Sequence, residues 1–140
     1  MSLILFAFLA FVTAGTVQPE QDRIEIKIVQ ELFRLRNEHK ADSAEQYFAD
    51  TVLVYMKYLK NVPKEMITSS DKSFWKAHPG NKFEITAPIQ ITVAPGSTIA
   101  TIFGKEYLDG GSFQYEKIEI RFDRDKKINY FRGFNWKKER

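Results

Sequence analysis

The chain contains no cysteine among its 140 residues. This absence excludes disulfide bonds, thiolate metal sites, thiol nucleophiles and a lipidated cysteine anchor, and it is compatible with either redox compartment. The two histidines, His39 and His78, lie far apart in sequence, so we expect no metal site. Glycine-rich nucleotide loops and a Gly-x-Ser-x-Gly elbow are also missing, and the sequence therefore implies no cofactor.

A strong charge of one sign is lacking as well, because 21 basic residues against 18 acidic residues give a formal charge of +3. Basic and acidic residues alternate along most of the chain, and only Lys126-Lys127 and residues 137–140 concentrate positive charge. Nucleic-acid binders usually present a clustered basic face, so we expect no nucleic-acid partner. The apolar share of 44%, with twelve phenylalanines, favours one domain with a sheet packed on helices.

One long apolar run is present, in the first 14 residues, MSLILFAFLAFVTA. The stretch from Leu3 to Val12 would span about 15 Å as a helix, roughly half of a bilayer core. Its length and the small residues after it predict a signal peptide over 1–14 with cleavage at about 14–18. We therefore expect a secreted or periplasmic protein with no membrane attachment after cleavage. No Lys or Arg precedes the run, so an N-terminal membrane anchor, or a first strand or helix of the fold, stays open.

Helical spacing of apolar residues begins after Asp22 and predicts an amphipathic helix that ends between Asn37 and Lys40. A shorter helix is expected from Asp42 or Ser43, followed by one strand over 51–59. Pro63 opens a third helix, which His78-Pro79-Gly80 ends.

Alternating apolar and polar residues then predict four strands, over 82–93, 98–108, 112–122 and 128–136, joined by turns. The apolar parity changes near Glu116-Lys117, which predicts a β-bulge and a bend in the sheet at that point. Residues 20–138 therefore form a single α+β domain, with N-terminal helices and a bent antiparallel meander.

This order of elements resembles the nuclear transport factor 2-like superfamily, particularly its SnoaL-like and ketosteroid-isomerase-like members. The best local match is AEQYFADTVLV at 44–54, which is similar to the family's junction of short helix, Phe-Ala-Asp and strand. The resemblance implies a cystatin-like α+β fold, in which the helices pack on a curved antiparallel sheet to form a cone with a pocket.

The resemblance also implies an acidic base a few residues into that strand, together with paired oxyanion donors, in isomerase-type members. The corresponding neighbourhood here is Val54-Tyr55-Met56-Lys57, which holds no carboxylate. Isomerase chemistry by that residue is therefore disfavoured, and the sequence leaves open whether the protein is an enzyme.

Arg132 shares the parity of the aromatic residues in the last strand and has two interpretations. In the first, it is an inward-facing anchor for an anion or carboxylate. In the second, it pairs with a sheet carboxylate such as Glu119 or Glu106, or the other parity of the strand faces inward. Lys105 and Lys117 raise the same question, and we expect both to face solvent. The candidate pocket-lining residues, each of which could equally be core, are Tyr55, Trp75, Phe103, Tyr107, Tyr115, Tyr130 and Arg132.

Three functions follow from this pattern. The leading one is an exported domain that binds a small apolar or amphipathic molecule, either as a monomer or as a homodimer through the outer sheet face. The second is an isomerase, cyclase or dehydratase in the same pocket, for which two polar groups must converge on one cavity. The third is a protein-interaction module that uses the outer sheet face. A cavity of about 300 Å³ would support the first function.

Overall fold

The computed structural model describes residues 23–135. The predicted signal peptide and Trp136 lie outside these residues, so the export of the protein stays a prediction. No helix within 23–135 has the length and apolar character needed to cross a membrane. The helices are α1 (Ile24–Asn37), α2 (Ala41–Glu45) and α3 (Lys64–Ala77), and the strands are β1 (Phe48–Met56), β2 (Tyr58–Pro63), β3 (Lys82–Ile85), β4 (Gln90–Ala94), β5 (Ser97–Tyr107), β6 (Phe113–Phe122) and β7 (Ile128–Asn135).

The strands form one curved, unclosed sheet in the order β2-β1-β7-β6-β5-β3, with β4 also paired to β5. Every pairing is antiparallel except that of β1 with β7, which is parallel. The predicted α+β class with helices on a curved sheet is thus confirmed, and the one parallel pair is an addition to the expected meander.

The core lies between α1 and the inner face of the sheet. Helix α1 buries Ile26, Val29, Leu32 and Phe33 at its 3.6-residue spacing. The inner face supplies alternate residues of the two longest strands, including Ala100 and Ile102 of β5 and Ile118, Ile120 and Phe122 of β6. The strands therefore have an inner parity fixed by contact with α1.

Two predicted strands are each divided in the structure. The single strand expected over 51–59 is a tight hairpin, because Lys57 adopts φ +70° between β1 and β2. A positive φ is uncommon outside glycine, so the sequence carried no turn signal there. The strand expected over 82–93 is interrupted between Ile85 and Gln90, around Pro88, and continues as β4 against another part of β5.

The predicted bulge near Glu116-Lys117 is wrong in position. Strands β5 and β6 pair without interruption from Phe113 to Phe122, and the irregularity lies between β6 and β7. There, Ile128 and Tyr130 oppose the adjacent residues Phe122 and Arg121. The extra residue reverses the parity of β7. Residues after it therefore face the side of the sheet opposite to the one that strict alternation from Ile128 would give.

Candidate functional site

A small cavity of about 80 Å³ lies between α1, α3 and the inner face of the sheet. Its polar lining consists of Glu106, Glu116, Arg36, Asn37 and Asn81. Its remaining lining consists of Phe33, Trp75, Phe83, Ile118 and Phe131. A water molecule takes about 30 Å³ of liquid volume, so the cavity has room for roughly two or three waters or a few non-hydrogen atoms of a ligand.

Two carboxyl groups meet at this cavity from neighbouring strands. Glu116 of β6 stands opposite Gly104 of β5, and Glu106 follows two residues later on the same inner parity. Burial raises the pKa of the Glu116 carboxyl from 4.5 to about 9, with a hydrogen bond to Glu106 and the negative charge of Glu106 adding to the rise. Because two close carboxylates cannot both remain charged, the pair holds one proton at neutral pH.

One oxygen of the pair has no partner. Oε2 of Glu116 is buried and makes no hydrogen bond to any residue in 23–135. Buried polar atoms are nearly always hydrogen-bonded, so an exception calls for an explanation, such as strain, a bound water or ion, or a catalytic role. Glu116 also lines the cavity, so an incompletely satisfied carboxyl lies beside a space that could hold a small molecule.

Asn81 holds Glu106 in place and uses its whole amide to do so. Its Nδ2 donates to Oε1 of Glu106 at 3.2 Å and to the backbone carbonyl of Tyr107 at 2.9 Å. Its Oδ1 accepts from Nε1 of Trp75 at 2.9 Å. The His39 ring stacks on Trp75, with ring centroids 4.8 Å apart. Its Nε2 lies 2.8 Å from the backbone carbonyl oxygen of Asn81. The carboxyl pair therefore has a second layer of fixed contacts.

Arg36 places a positive charge beside the pair. Its guanidinium forms an ion pair with Asp71 of α3, with Nη1 and Oδ2 2.5 Å apart, and lies 5.3 Å from the ring centroids of both Trp75 and Phe131. The charge of Arg36 lowers the pKa of Glu116, although burial and Glu106 outweigh it. The cavity thus combines a proton donor, a carboxylate and a fixed cation.

Of the seven candidate pocket residues, the structure places only Trp75 at this cavity. Strand pairing places Phe103, Tyr107 and Tyr115 on the outer face, opposite Lys117, Phe113 and Lys105 respectively. Tyr55, Tyr130 and Arg132 also lie on the outer face.

Arg132 is therefore not the inward anchor that one interpretation expected. The bulge after Ile128 turns Phe131 and Gly133 inward, and Arg132 stands opposite Glu119 on the outer face. This placement agrees with the alternative interpretation of an inverted parity. Lys105 and Lys117 lie half-buried over aromatic rings of the same face.

A second, more open groove of about 540 Å³ lies on the outside of α1 next to β3. Tyr107 lines this groove and donates its hydroxyl to Glu84 Oε2 at 3.0 Å. Phe33, Asn37 and Phe83 line both the groove and the cavity and therefore form the wall between them.

Both histidines lie within the described residues, His39 beside Trp75 and His78 at the end of α3. His78 ends α3 and pairs with Asp109, with Nδ1 and Oδ2 2.7 Å apart, away from the cavity. Within residues 23–135, no group of three or more His, Cys, Asp or Glu side chains could hold a metal ion.

Sequence reasoning missed Glu106, Glu116, Arg36 and Asn81. The sequence did carry a signal for the two glutamates. Glu106 lies on the same strand parity as the apolar Ala100 and Ile102, and Glu116 lies on the same parity as Ile118 and Ile120. A carboxylate on an apolar parity is a marked pattern. Arg36 and Asn81 reach the cavity only because of the way the helices dock on the sheet. The local sequence pattern carries no information about that docking.

No family model matches the chain, and no curated protein matches it in sequence. Solved structures do match in fold. An NTF2-like protein of unknown function from Cytophaga hutchinsonii covers 84% of this chain and 95% of its own, with 7% identity and a TM-score of 0.61. A protein with a cystatin-like fold from Caulobacter vibrioides covers 79% and 86%, with 15% identity and a TM-score of 0.66.

An epoxide hydrolase from Mycobacterium tuberculosis, described as LEH-like, also matches. It covers 80% of this chain and 82% of its own, with 11% identity and a TM-score of 0.58. At these identities the likeness establishes the fold alone, and that fold is the NTF2-like, cystatin-like one that the order of elements predicted.

Proposed function

We propose that the cavity is an acid–base site, at which the Glu106–Glu116 pair binds a compact polar molecule and gives it a proton. The observation that carries this proposal is Glu116 itself, which lines the cavity and whose buried Oε2 has no hydrogen-bond partner among the described residues. A general acid must hold its proton at the working pH and stand within hydrogen-bond reach of its substrate. Glu116, kept protonated at neutral pH by burial and by Glu106, meets the first condition.

The two carboxyl groups take different roles in this scheme. The protonated Glu116 donates to a substrate oxygen, and Glu106, oriented by Asn81, accepts a hydrogen bond or a proton. Arg36 stabilises the negative charge that remains on the pair after the transfer. This division suits isomerisation or cyclisation, in which a base removes a proton from carbon while an acid polarises an oxygen. It also suits dehydration or the opening of a strained ring, in which an acid protonates the oxygen whose bond breaks. One fold neighbour is described as an epoxide hydrolase, and the hydrolysis of an epoxide opens a strained ring.

A change of Glu116→Gln tests the proposal, because glutamine keeps the shape of the protonated carboxyl but cannot transfer a proton. We expect infrared spectra at pH 7 to show the carbonyl stretch of a protonated carboxyl in the wild-type protein and to lose it in the variant. We also expect turnover of small epoxides or enolisable hydroxyketones by the wild-type protein and none by the variant. Glu65→Gln, at an exposed position of α3, is the matched control and should change neither measurement.

A wild-type spectrum without a protonated carboxyl at pH 7 would contradict the proposal. Equal turnover by Glu116→Gln and wild type would contradict it as well.

A second candidate function has its own observation. The groove beside α1 measures about 540 Å³ and is lined by Phe33, Phe83, Ile85 and Tyr107. This volume falls within the range of about 300–1,000 Å³ that small-molecule sites occupy, whereas the inner cavity is below it. The groove thus supports the binding of a small apolar or amphipathic molecule. Ile85→Arg, at a half-buried position on its wall, should abolish binding of a fluorescent fatty acid there but leave the carboxyl pair unchanged.

The proposed setting of either function is outside the cytoplasm. It depends on the apolar residues 1–14, and N-terminal sequencing of the mature protein would test it, with a start at 15–19 as the expected result.

A further inference from the structure

The outer face of β5, β6 and β7 carries positive charge among aromatic rings. Its outward positions include four basic residues and one acidic residue, Glu119, which gives a net charge of +3. We call the four basic residues the outer cationic face: Lys105, Lys117, Arg121 and Arg132. Each of them lies over at least one ring at 4.2–5.6 Å from the centroid.

Arg132 is the member of this face that has a buried nitrogen without a hydrogen-bond partner among the described residues. Its guanidinium lies between the rings of Tyr55, at 4.7 Å, and Phe134, at 4.2 Å. Its neighbour across the strands, Glu119, pairs with Arg121 instead, with Oε1 and Nη2 3.0 Å apart. Within residues 23–135, Arg132 forms no ion pair, and its Nε is buried without a hydrogen-bond partner. The two rings hold the guanidinium plane while its charge remains uncompensated.

The four cations are regularly spaced along the direction of β6. Lys105 is opposite Tyr115, Lys117 follows two residues later, Arg132 is opposite Glu119, and Arg121 follows two residues after that. Along β6 each step is therefore two residues, or about 6.6 Å, which is also the spacing between alternate side chains of an extended polypeptide. Each step also changes strand, which adds a sideways offset of about 4.8 Å that the long Lys and Arg side chains can span.

The chemistry of the face favours carboxylates over the alternatives. Its cations already lie over the rings of Tyr130 and Phe134, which a stacked base could reach only by displacing them. Phe113 and Tyr55 stay about half exposed, so a comparison with an oligonucleotide belongs in the test. A second copy of the same face would bring like charges together. The edge of a stacked guanidinium, by contrast, matches a carboxylate in shape and charge.

We propose that the outer cationic face binds an extended acidic segment of a partner protein. Carboxylates at alternate residues of the segment meet Lys105, Lys117, Arg132 and Arg121 in turn. The site is distinct from the inner cavity, since the sheet separates the two faces, and it does not depend on the proposed acid–base function.

The test is fluorescence anisotropy with a labelled ten-residue peptide of alternating Glu and Ser. We expect saturable binding that weakens with salt, and at least about a five-fold loss of affinity in Arg132→Met. Arg124→Met is the matched control, because Arg124 is exposed on the β6–β7 turn, and it should bind within about two-fold of wild type. Tyr55→Ala, which removes one exposed ring beside Arg132, should also weaken binding if Arg132→Met fails to fold.

Three comparisons decide the class of partner. A peptide with the same ten residues but with its glutamates contiguous should bind more weakly, and equal binding would show that only total charge matters. Tighter binding of a ten-nucleotide oligothymidine would replace the acidic segment with a nucleic acid. In sedimentation experiments, we do not expect the wild-type protein to self-associate through this face. Self-association that Arg132→Met abolishes would therefore contradict the expectation. Absence of peptide binding at low salt, or an equal effect of Arg132→Met and Arg124→Met, would overturn the proposal.

Discussion

The carboxyl of Glu116 occupies the space in which any residue other than glycine at position 133 would place its Cβ. The two residues belong to the paired strands β6 and β7 and lie on the same inner face. The buried carboxyl pair therefore depends on a missing side chain in the neighbouring strand as much as on Glu106. This relationship leads to a first prediction.

Gly133→Ala should displace the Glu116 carboxyl from Glu106 and lower its pKa, because the hydrogen bond between them is lost. The clash involves the mobile end of a side chain, so we expect a loss of only about 1 kcal/mol in the free energy of unfolding. Infrared titration of the protonated carboxyl, together with urea unfolding, checks both expectations. Gly104→Ala is the contrasting control, since a Cβ there meets the Glu84 backbone and the Phe83 ring, and its loss should be at least twice as large.

Glu116 also predicts how stability depends on pH. Its folded-state pKa of about 9 exceeds the ordinary 4.5, so between these values the folded state binds more protons than the unfolded state. The stability that Glu116 contributes is therefore complete below about pH 4.5 and is lost as the pH rises towards 9. Glutamine does not ionise, so the Glu116→Gln variant does not lose this stability as the pH rises. The variant should therefore be more stable than the wild type at pH 8, and the difference in the free energy of unfolding should be smaller at pH 5.

Urea unfolding at the two pH values measures this difference. Glu65→Gln should parallel the wild type, and an equal difference at both pH values would show that Glu116 is charged throughout.

Asn37 predicts a stability effect at the sheet edge. Its Nδ2 donates to the Phe83 carbonyl at 2.9 Å, and its Oδ1 accepts from the Phe83 amide at 2.8 Å. Strand β3 ends the sheet on this side, so Asn37 takes the place of a neighbouring strand for this residue. Asn37→Ala should lower the free energy of unfolding by about 2 kcal/mol, since two half-buried backbone groups lose their partners.

Asn37→Asp serves as the comparison for this change, since it keeps the acceptor and loses the donor. Thermal unfolding should place it between the wild type and Asn37→Ala. A melting temperature of Asn37→Ala equal to that of the wild type would show that water replaces the amide at no cost.

Glu25 predicts a loss of stability in acid. Its side chain is 2% exposed, and its carboxylate lies 2.7 Å from Nζ of Lys126. Burial raises the pKa of Glu25, but hydrogen bonds from Lys126, from its own backbone and from Arg23 outweigh burial and leave the pKa lowered. The stability it contributes is therefore present above the ordinary pKa and lost as the pH falls through the lowered one.

Lys126→Ala should lower the free energy of unfolding at pH 7 by about 2 kcal/mol, less than for a fully enclosed pair because Lys126 is partly exposed. Arg124→Ala, on the same turn, should have little effect in the same urea titration. Similar losses in the two variants would mean that the turn, and not the ion pair, is what matters.

The sequence was informative wherever structure is set by local spacing. The apolar stripe that includes Val29, Leu32 and Phe33 predicted α1, and the pattern over 98–108 predicted β5. The inner parity of β5 was not predicted, because Phe103 and Tyr107 were expected at the pocket and lie on the outer face. The order of such elements was sufficient to identify the fold.

The sequence was not informative wherever one residue changes the register. Nothing marks Lys57 as a residue with positive φ, and the extra residue between Ile128 and Tyr130 is visible only when β6 lies beside it. That single bulge moved Arg132 from the expected inner face to the outer one. The candidate site needs such long-range knowledge, because Asn81 reaches Glu106 from the loop before β3.

The parallel pairing of β1 with β7 has a consequence for how the molecule assembles. Strands β1 and β7 are about 80 positions apart in the chain. Within residues 23–135, the pairing of β1 with β7 is the only strand pairing that joins β1 and β2 to the rest of the sheet. During synthesis, β1 and β2 emerge early and pair with no strand other than each other until β7 leaves the ribosome. Completion of the native sheet is therefore a late event, and chains released before residue 128 are expected to collect as aggregation-prone intermediates.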